Sequence, residues 1–304
     1  MTTNPTELSG WVIFDKPYEM SSAKAVSIVR RCFKTKKAGH AGTLDPLATG
    51  ILPIALGEAT KTIPYAMDTD KTYRFSVAWG EERETDDREG AVLAQSSKRP
   101  SQAEIQNFLP SFIGKIDQVP PLYSALKIQG KRACDRAREG EDFVLKPRPV
   151  TVYELTILHH TSEATEFELH CGKGTYVRSI ARDLGRLLGT YGYVSSLRRI
   201  AVGPFLEKDS VSIDKLLELG PHSELRLFVK PLDMVLDDIP AISLSDSAAR
   251  MLRQGRSLPG MAFIEKDQEV AEDSLVVCKS LDGMPLAIAQ WQDKQVKPLR
   301  VFNL

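Results

Sequence analysis

Tyr73, Phe75, Val77 and Trp79 alternate with Arg74, Ser76 and Ala78. That period of two places one apolar face on a strand and commits its partners to covering it. The pattern returns at Phe167, Leu169 and Cys171, interleaved with Glu166, Glu168 and His170. Two further short runs read as strands: GWVIFD from Gly10, and ILPIAL from Ile51 to Leu56. Val150 to His160 and Thr165 to Cys171 read as an antiparallel pair, and Tyr193 to Val202 as another strand. PPLYSALKIQG, Pro120 to Gly130, reads as a turn then a strand. Helical spacing appears between them. Ser21 or Ser22 caps a helix with Ala25, Val26, Val29, Cys32 and Phe33 on one stripe. Ser101 with Glu104 forms a capping box. Val177, Ile180, Ala181, Leu184, Leu187 and Leu188 form a third stripe. Strands and helices mix without regular βαβ alternation. The fold class is therefore α+β, with a mostly antiparallel sheet flanked by helices.

With 304 residues, two domains are expected. After about Asp233 the texture changes to small strands separated by Gly, Pro and Asp around one helix, Ser245 to Gln254. The boundary is placed there, as 1–233 and 234–304. The longest apolar run is far too short for a bilayer, and MTTNPTELSG lacks the basic and apolar regions of a secretory signal. Four scattered cysteines without a CxxC pair fit reduced thiols in the cytoplasm. No metal-ligand spacing is visible.

Net charge is +0, but the charge is segregated. Met20 to Leu44 holds Lys24, Arg30, Arg31, Lys34, Lys36 and Lys37 with no acid. Cys171 to Ile200 holds Lys173, Arg178, Arg182, Arg186, Arg198 and Arg199 against only Asp183. A single run of this kind is usually a solvated face. Two, each beside a glycine-rich motif, point to a polyanion.

The first of those motifs is AGHAGTLDPLATG, Ala38 to Gly50, whose one carboxylate is Asp45. Gly39, Gly42 and Gly50 permit special backbone angles and close approach, and Pro46 biases Asp45 away from the helical region. Asp45 is expected on a fixed turn with its carboxylate outward. The plain alternative is a structural turn. The second motif, GKGTYVR from Gly172, is no phosphate loop of the Walker type, which would need glycine at Phe167. Its glycines still free N–H groups at a helix start. Arg178 lies in the first turn, where a cation opposes the helix dipole, so an anion such as Asp45 or a phosphate is expected to hold it.

Five ordered blocks carry a resemblance: FDKPYEMSS from Phe14, GHAGTLDPLATGILPIALGEATK from Gly39, YSALKIQGKR from Tyr123, HCGKGTYVRSIARDLG from His170 and LRRIAVGPF from Leu197. Over about two-thirds of the chain the sequence resembles the TruB family of tRNA pseudouridine synthases. The C-terminal part is more loosely similar to the small β-rich RNA-binding domain of PUA type. The resemblance implies a pseudouridine synthase fold and isomerisation of the T-loop uridine of tRNA, uridine-55. The C1′–N1 bond breaks, the base turns and a C1′–C5 bond forms, with no cofactor or metal. It makes Asp45 the essential aspartate and His40 a residue that holds the RNA loop with its base flipped. Tyr73 stacks on that base, Tyr176 is a second pocket tyrosine, and Arg178 pairs with the aspartate. Leu197 is an apolar pocket residue, and Lys16 belongs to a block lining the active-site region. The expected partner is the T arm of tRNA, with no membrane, no obligatory protein partner and a monomeric chain. The basic helix after Ser22 and the Arg178 to Arg199 stretch are expected to contact phosphates.

The sequence departs from the family pattern at Glu19, where glycine is usual, at Arg83, where threonine is usual, and at Ala133 and Cys134. Two rival readings differ in class. One is an RNA-binding or tRNA-folding module with dispensable catalysis. The other is a subunit of a guide-RNA-dependent pseudouridine synthase.

Overall fold

A computed structural model describes residues 8–219, 223–260, 263–266 and 270–304, without the side chains of 223 and 263–266. The central element is a ten-stranded sheet. Its main path runs Val229–Lys230, Gly10–Lys16, Thr49–Leu56, Gly192–Val202, Lys71–Trp79, Ala164–Cys171, Arg148–His160, Gly114–Gln118. Neighbours pair antiparallel except at one junction, where Arg198 and Arg199 run parallel to Thr49 and Gly50. Strand Gly10–Lys16 shows why the sheet is covered twice. Val12 and Phe14 enter the core beneath helix Ser22–Cys32, while Trp11 and Ile13 enter the core on the opposite face. Farther along, Phe75, Val77, Phe167 and Leu169 pack under helix Val177–Leu187. Each such side chain contributes about 1.5–3 kcal/mol by leaving water.

Strands Ala241–Leu244, Leu258–Pro259, Phe263–Lys266, Leu275–Ser280, Pro285–Gln292 and Gln295–Val301 form a second, six-stranded sheet with its own apolar core around Leu244, Leu252, Cys278 and Trp291. Val277 and Ile288 of this sheet, with Phe302 just beyond it, share a core with Trp11 and Ile51. Polar ties reinforce the junction: Trp11 Nε1 donates to the Leu232 carbonyl (3.3 Å), and Lys61 Nζ donates to that of Val301 (2.6 Å).

The capping box at Ser101 and Glu104 is present, and Ser21 caps its helix by accepting from the Lys24 N–H. Three expectations are corrected. The segment after Pro121 is a strand only at Lys127–Ile128. Its carbonyls are taken elsewhere: Tyr123 accepts from Arg178, Ser124 from Cys134 N–H and Leu126 from Ala133 N–H. Leu187 is 51% exposed. Leu184 and Leu188, four apart, take the buried line, leaving Leu187 at its edge. Gly39 needs no special angle. Its smallness makes room for Ile63, whose Cδ1 would lie 2.8 Å from an added Cβ.

Glu19 sits in the left-handed region, at φ 60, in the turn before helix Ser22–Cys32. A side chain there is strained by about 1–2 kcal/mol. Glu19→Gly is expected to raise the stability by about 0.5–1 kcal/mol, the strain relief net of glycine's greater freedom when unfolded. Urea unfolding monitored by tryptophan fluorescence would measure it, and an unchanged or lower midpoint would show that the strain does not exceed the entropic cost of glycine.

Candidate active site

Asp45 opens a tight turn over Pro46 and Leu47, closed by the Ala48 N–H donating to the Asp45 carbonyl (3.0 Å). Proline at the second position presets that turn. Three buried side chains clamp the loop that carries it. Ser22 Oγ both donates to the Leu44 carbonyl and accepts from its N–H, each at 2.9 Å. Lys16 Nζ donates to the carbonyls of Met20 (2.8 Å), Pro17 (3.0 Å) and Pro46 (3.2 Å). Arg199 Nη2 donates to that of Gly42 (3.1 Å) and its Nε to that of Ile51 (2.9 Å). Gly42 has φ +92. At Gly50 a Cβ would stand 2.2 Å from the Arg199 carbonyl oxygen, so only glycine lets the two strands meet in parallel there.

The carboxylate so presented, 40% exposed, meets Arg178 Nη2 at 3.0 Å. Arg178 is itself buried and held from behind. Nη1 donates to the Thr85 carbonyl (2.9 Å) and lies 3.6 Å from Asp87 Oδ2, and Nη2 donates to the Tyr123 carbonyl (3.0 Å). The Thr85–Asp87 loop is in turn fixed by Arg182, whose Nη1 meets Asp86 Oδ2 at 3.0 Å. Burial pushes the Asp86 carboxyl up to about 6 against the pull of Arg182. Gln118 grips the start of helix Val177–Leu187: its Oε1 accepts from the Tyr176 N–H (2.8 Å) and its Nε2 donates to the Tyr176 carbonyl (3.1 Å).

Asp45, Tyr73, Tyr176, Arg178 and Leu197 line one cavity of about 600 Å³. Tyr73 is half-buried, and its hydroxyl faces the Arg199 guanidinium. Burial pushes that phenol up, while Arg199 pulls it down. His40 lies on the short strand Ala38–His40, outside that lining. Its Nδ1 is buried without a hydrogen-bond partner among the described residues, and burial, then Arg199, lowers its pKa. Lys16 is not in the lining either. It is fully buried, and burial lowers its pKa to about 8 despite the attraction of Asp45. Its ammonium is spent on the loop carbonyls, so it positions Asp45 and does not face the cavity.

The arginine-rich stretch is corrected more sharply. Arg178, Arg182 and Arg199 are buried. Arg186 pairs with Glu82 (2.6 Å), and Arg198 with Asp15 (2.9 Å) and Glu207 (2.5 Å). Arg178, Arg182 and Arg199 brace the fold from inside, while Arg186 and Arg198 reach solvent but are engaged by carboxylates. At the start of helix Val177–Leu187, Gln118 takes one of the free N–H groups, that of Tyr176. Arg83 lies over the Tyr193 ring at 4.5 Å and pairs with Glu81, so the departure at that position is absorbed by packing. Asp87, Gln118 and Lys71 escaped the sequence reading as site residues, and Arg199 was read only as a phosphate contact. The one signal for Asp87 was the acidic run Glu81 to Gly90, which is indistinguishable from a solvated surface until the fold is known.

No helix among the described residues is long and apolar enough to cross a membrane. Residues 30–177 match the model of the TruB family pseudouridylate synthase N-terminal domain, and 178–237 that of the tRNA pseudouridylate synthase B C-terminal domain. The chain is 48% identical to tRNA pseudouridine synthase B of Rhodopseudomonas palustris, covering 98% of this chain and 82% of that one. It is 45% identical to the protein of that name from Caulobacter vibrioides, covering 98% and 97%. Among solved structures it overlays on a chain of an H/ACA RNP bound to a substrate RNA containing 2′-deoxyuridine, with TM-score 0.75, 22% identity and 97% and 85% coverage. That last likeness speaks to the fold, which is the one expected from the motifs. The whole-chain identity speaks to lineage: the chain belongs to the TruB family of pseudouridylate synthases.

Proposed function

We propose that this chain isomerises the T-loop uridine of tRNA, uridine-55, to pseudouridine, with Asp45 as the essential carboxylate and no obligatory protein partner. The observation that carries this is the meeting of Asp45 and Arg178 at 3.0 Å in the cavity that Tyr73, Tyr176 and Leu197 line. A stacked uridine must be extracted from its loop at a cost of a few kcal/mol. Stacking on Tyr73 returns about 1–3 kcal/mol. Breaking C1′–N1 leaves positive charge on the sugar, which the Asp45 carboxylate stabilises or captures. One carboxylate suffices, because no water is activated and the base stays in the cavity. In this reading residues 1–233 form the catalytic unit and 234–304 a PUA-like RNA-binding unit, working as a monomer in the cytoplasm.

The test is the purified chain alone on unmodified tRNA carrying tritium at uridine C5. Forming C1′–C5 expels that hydrogen. Release near one per tRNA, lost when the T-loop uridine is replaced, is the expected result. Release only after other proteins or a guide RNA are added would favour the guide-dependent reading. Tight binding without release would favour the RNA-folding module.

With the arginines of that stretch buried or paired with carboxylates, phosphate contact falls to the helix Ser22–Cys32 and its exit. Lys24, Arg30, Arg31 and Lys34 are exposed and make no ion pair among the described residues. Replacing Arg30 and Arg31 by alanine is expected to weaken tRNA binding and to flatten the slope of log affinity against log salt by about 2. Arg186→Ala, which removes an internal pair, is expected to leave the slope unchanged. Filter binding across a salt series checks both, and equal flattening by the two changes would refute the assignment.

A further inference from the structure

Two cations in the catalytic cavity have no carboxylate partner among the described residues. Lys71 is 7% exposed and Arg199 1%. Lys71 Nζ donates to the carbonyls of Met67 (2.6 Å) and Thr69. Arg199 donates to those of Ile51 and Gly42. The other lining charges are differently placed: Arg178 pairs with Asp45, Lys173 with Asp68, and Arg148 is exposed. Lys71 and Arg199 flank Tyr73. Lys71 is two residues away on the same strand, hence on the same face, and Arg199 is the register partner of Tyr73 on the next strand. Carbonyls satisfy the N–H groups but leave the positive potential in place. Burial, then repulsion from Arg199, lowers the Lys71 amine to about 8, while Cys171, Asp70 and Asp68 oppose the shift. Two like charges flanking one side chain are unfavourable for folding, and neither is offset by a carboxylate partner among the described residues.

We propose that Lys71 and Arg199 form a cationic floor beside Tyr73 that stabilises the uracil ring as an anion while it is detached from the sugar. This rests on the isomerase reading above. When C1′–N1 breaks, the electron pair stays on N1 and spreads to O2 and O4, leaving C1′ electron-poor beside Asp45. The one lining carries both kinds of charge, the Asp45 carboxylate and the two cations that flank Tyr73. The base turns, its π electrons form C1′–C5, the C5 hydrogen leaves as a proton to water, and N1 takes a proton from water. Charge separation is greatest between bond breaking and bond making, so preorganised positive potential acts on that interval and not on binding of the neutral nucleotide.

The experiment is single-turnover tritium release by the full chain at saturating tRNA, for the wild type, Lys71→Met, Arg199→Met and Arg199→Lys. Lys71→Met and Arg199→Met are each expected to slow release about 100-fold with unchanged tRNA affinity, and Arg199→Lys to recover part of the loss. The decisive readout replaces the target uridine by 2-thiouridine, whose base carries negative charge more readily. The deficit of both methionine variants should shrink about tenfold on that substrate. An equal deficit on both substrates would assign the two residues a merely structural role, and wild-type rates would remove them from the chemistry. Either outcome overturns the proposal. If Arg199→Met does not fold, Lys71→Met carries the test by itself. Failure of the wild type to release tritium would sink the isomerase reading first, and is distinguishable from these results.

Discussion

Asp45→Asn is expected to lower tritium release by about 10⁴–10⁶-fold while leaving tRNA binding near that of the wild type. The amide has the shape of the carboxylate, and the loop is held from elsewhere, by Ser22, Lys16 and Arg199. Arg178 keeps Asp87 and two carbonyls, so the pocket should survive the change. The size of the loss separates two roles. A unit charge about 4 Å away at an effective dielectric near 20 is worth about 4 kcal/mol, or roughly 10³ in rate. A loss of about that size would mean that Asp45 acts only through its field. The larger expected loss would mean that it also forms or breaks a bond at the reacting nucleotide. Single-turnover rates at saturating tRNA supply the number, and an Asn variant with rates near the wild type would end the assignment of Asp45.

Much of this site was legible in the sequence because its residues sit in loops with unusual local demands. Asp45 before Pro46, between Gly42 and Gly50, announced a fixed turn. Tyr73 fell on the apolar face of an alternating strand. Arg178 in the first turn of a helix called for an anion, and Asp45 supplies it. What stayed hidden depends on chain segments far apart. Arg182 reaches Asp86 across 96 positions, Arg186 reaches Glu82 across 104, and Arg198 reaches Asp15 across 183. A run of arginines in sequence displays charge but not partners, so it passed for a phosphate surface. The same limit hid Asp87, Gln118 and Lys71, and the place of Arg199 at the cavity, which exists only once strand Gly192–Val202 lies between Thr49–Leu56 and Lys71–Trp79. The motif blocks look different from this side. FDKPYEMSS supplies Lys16 and Ser22 to clamp the Asp45 loop, and LRRIAVGPF supplies Arg199 to the same end.

Arg178→Met should be the most damaging change to the fold at this site and should also abolish activity. The guanidinium is buried between Asp45 and Asp87 and satisfies the carbonyls of Thr85 and Tyr123. Removing it leaves Asp87, nearly as buried, without its counter-ion. Breaking a buried pair from one side typically costs about 3–5 kcal/mol, and that is the loss of stability expected from urea unfolding. Arg178→Lys keeps the charge but reaches one partner at a time, so it should fall between. The informative variant is the double one, Arg178→Met with Asp87→Asn. Neutralising Asp87 removes the stranded charge, so the double variant should regain about half of the lost stability, a coupling of roughly 2 kcal/mol. It should regain no activity, because Asp45 still lacks the cation that fixes its carboxylate toward the cavity. Recovery of both together would mean that Arg178 serves catalysis only by keeping the Thr85–Asp87 loop folded. Recovery of stability alone would place Arg178 in the chemistry, as the group that holds Asp45 against the sugar of the flipped nucleotide.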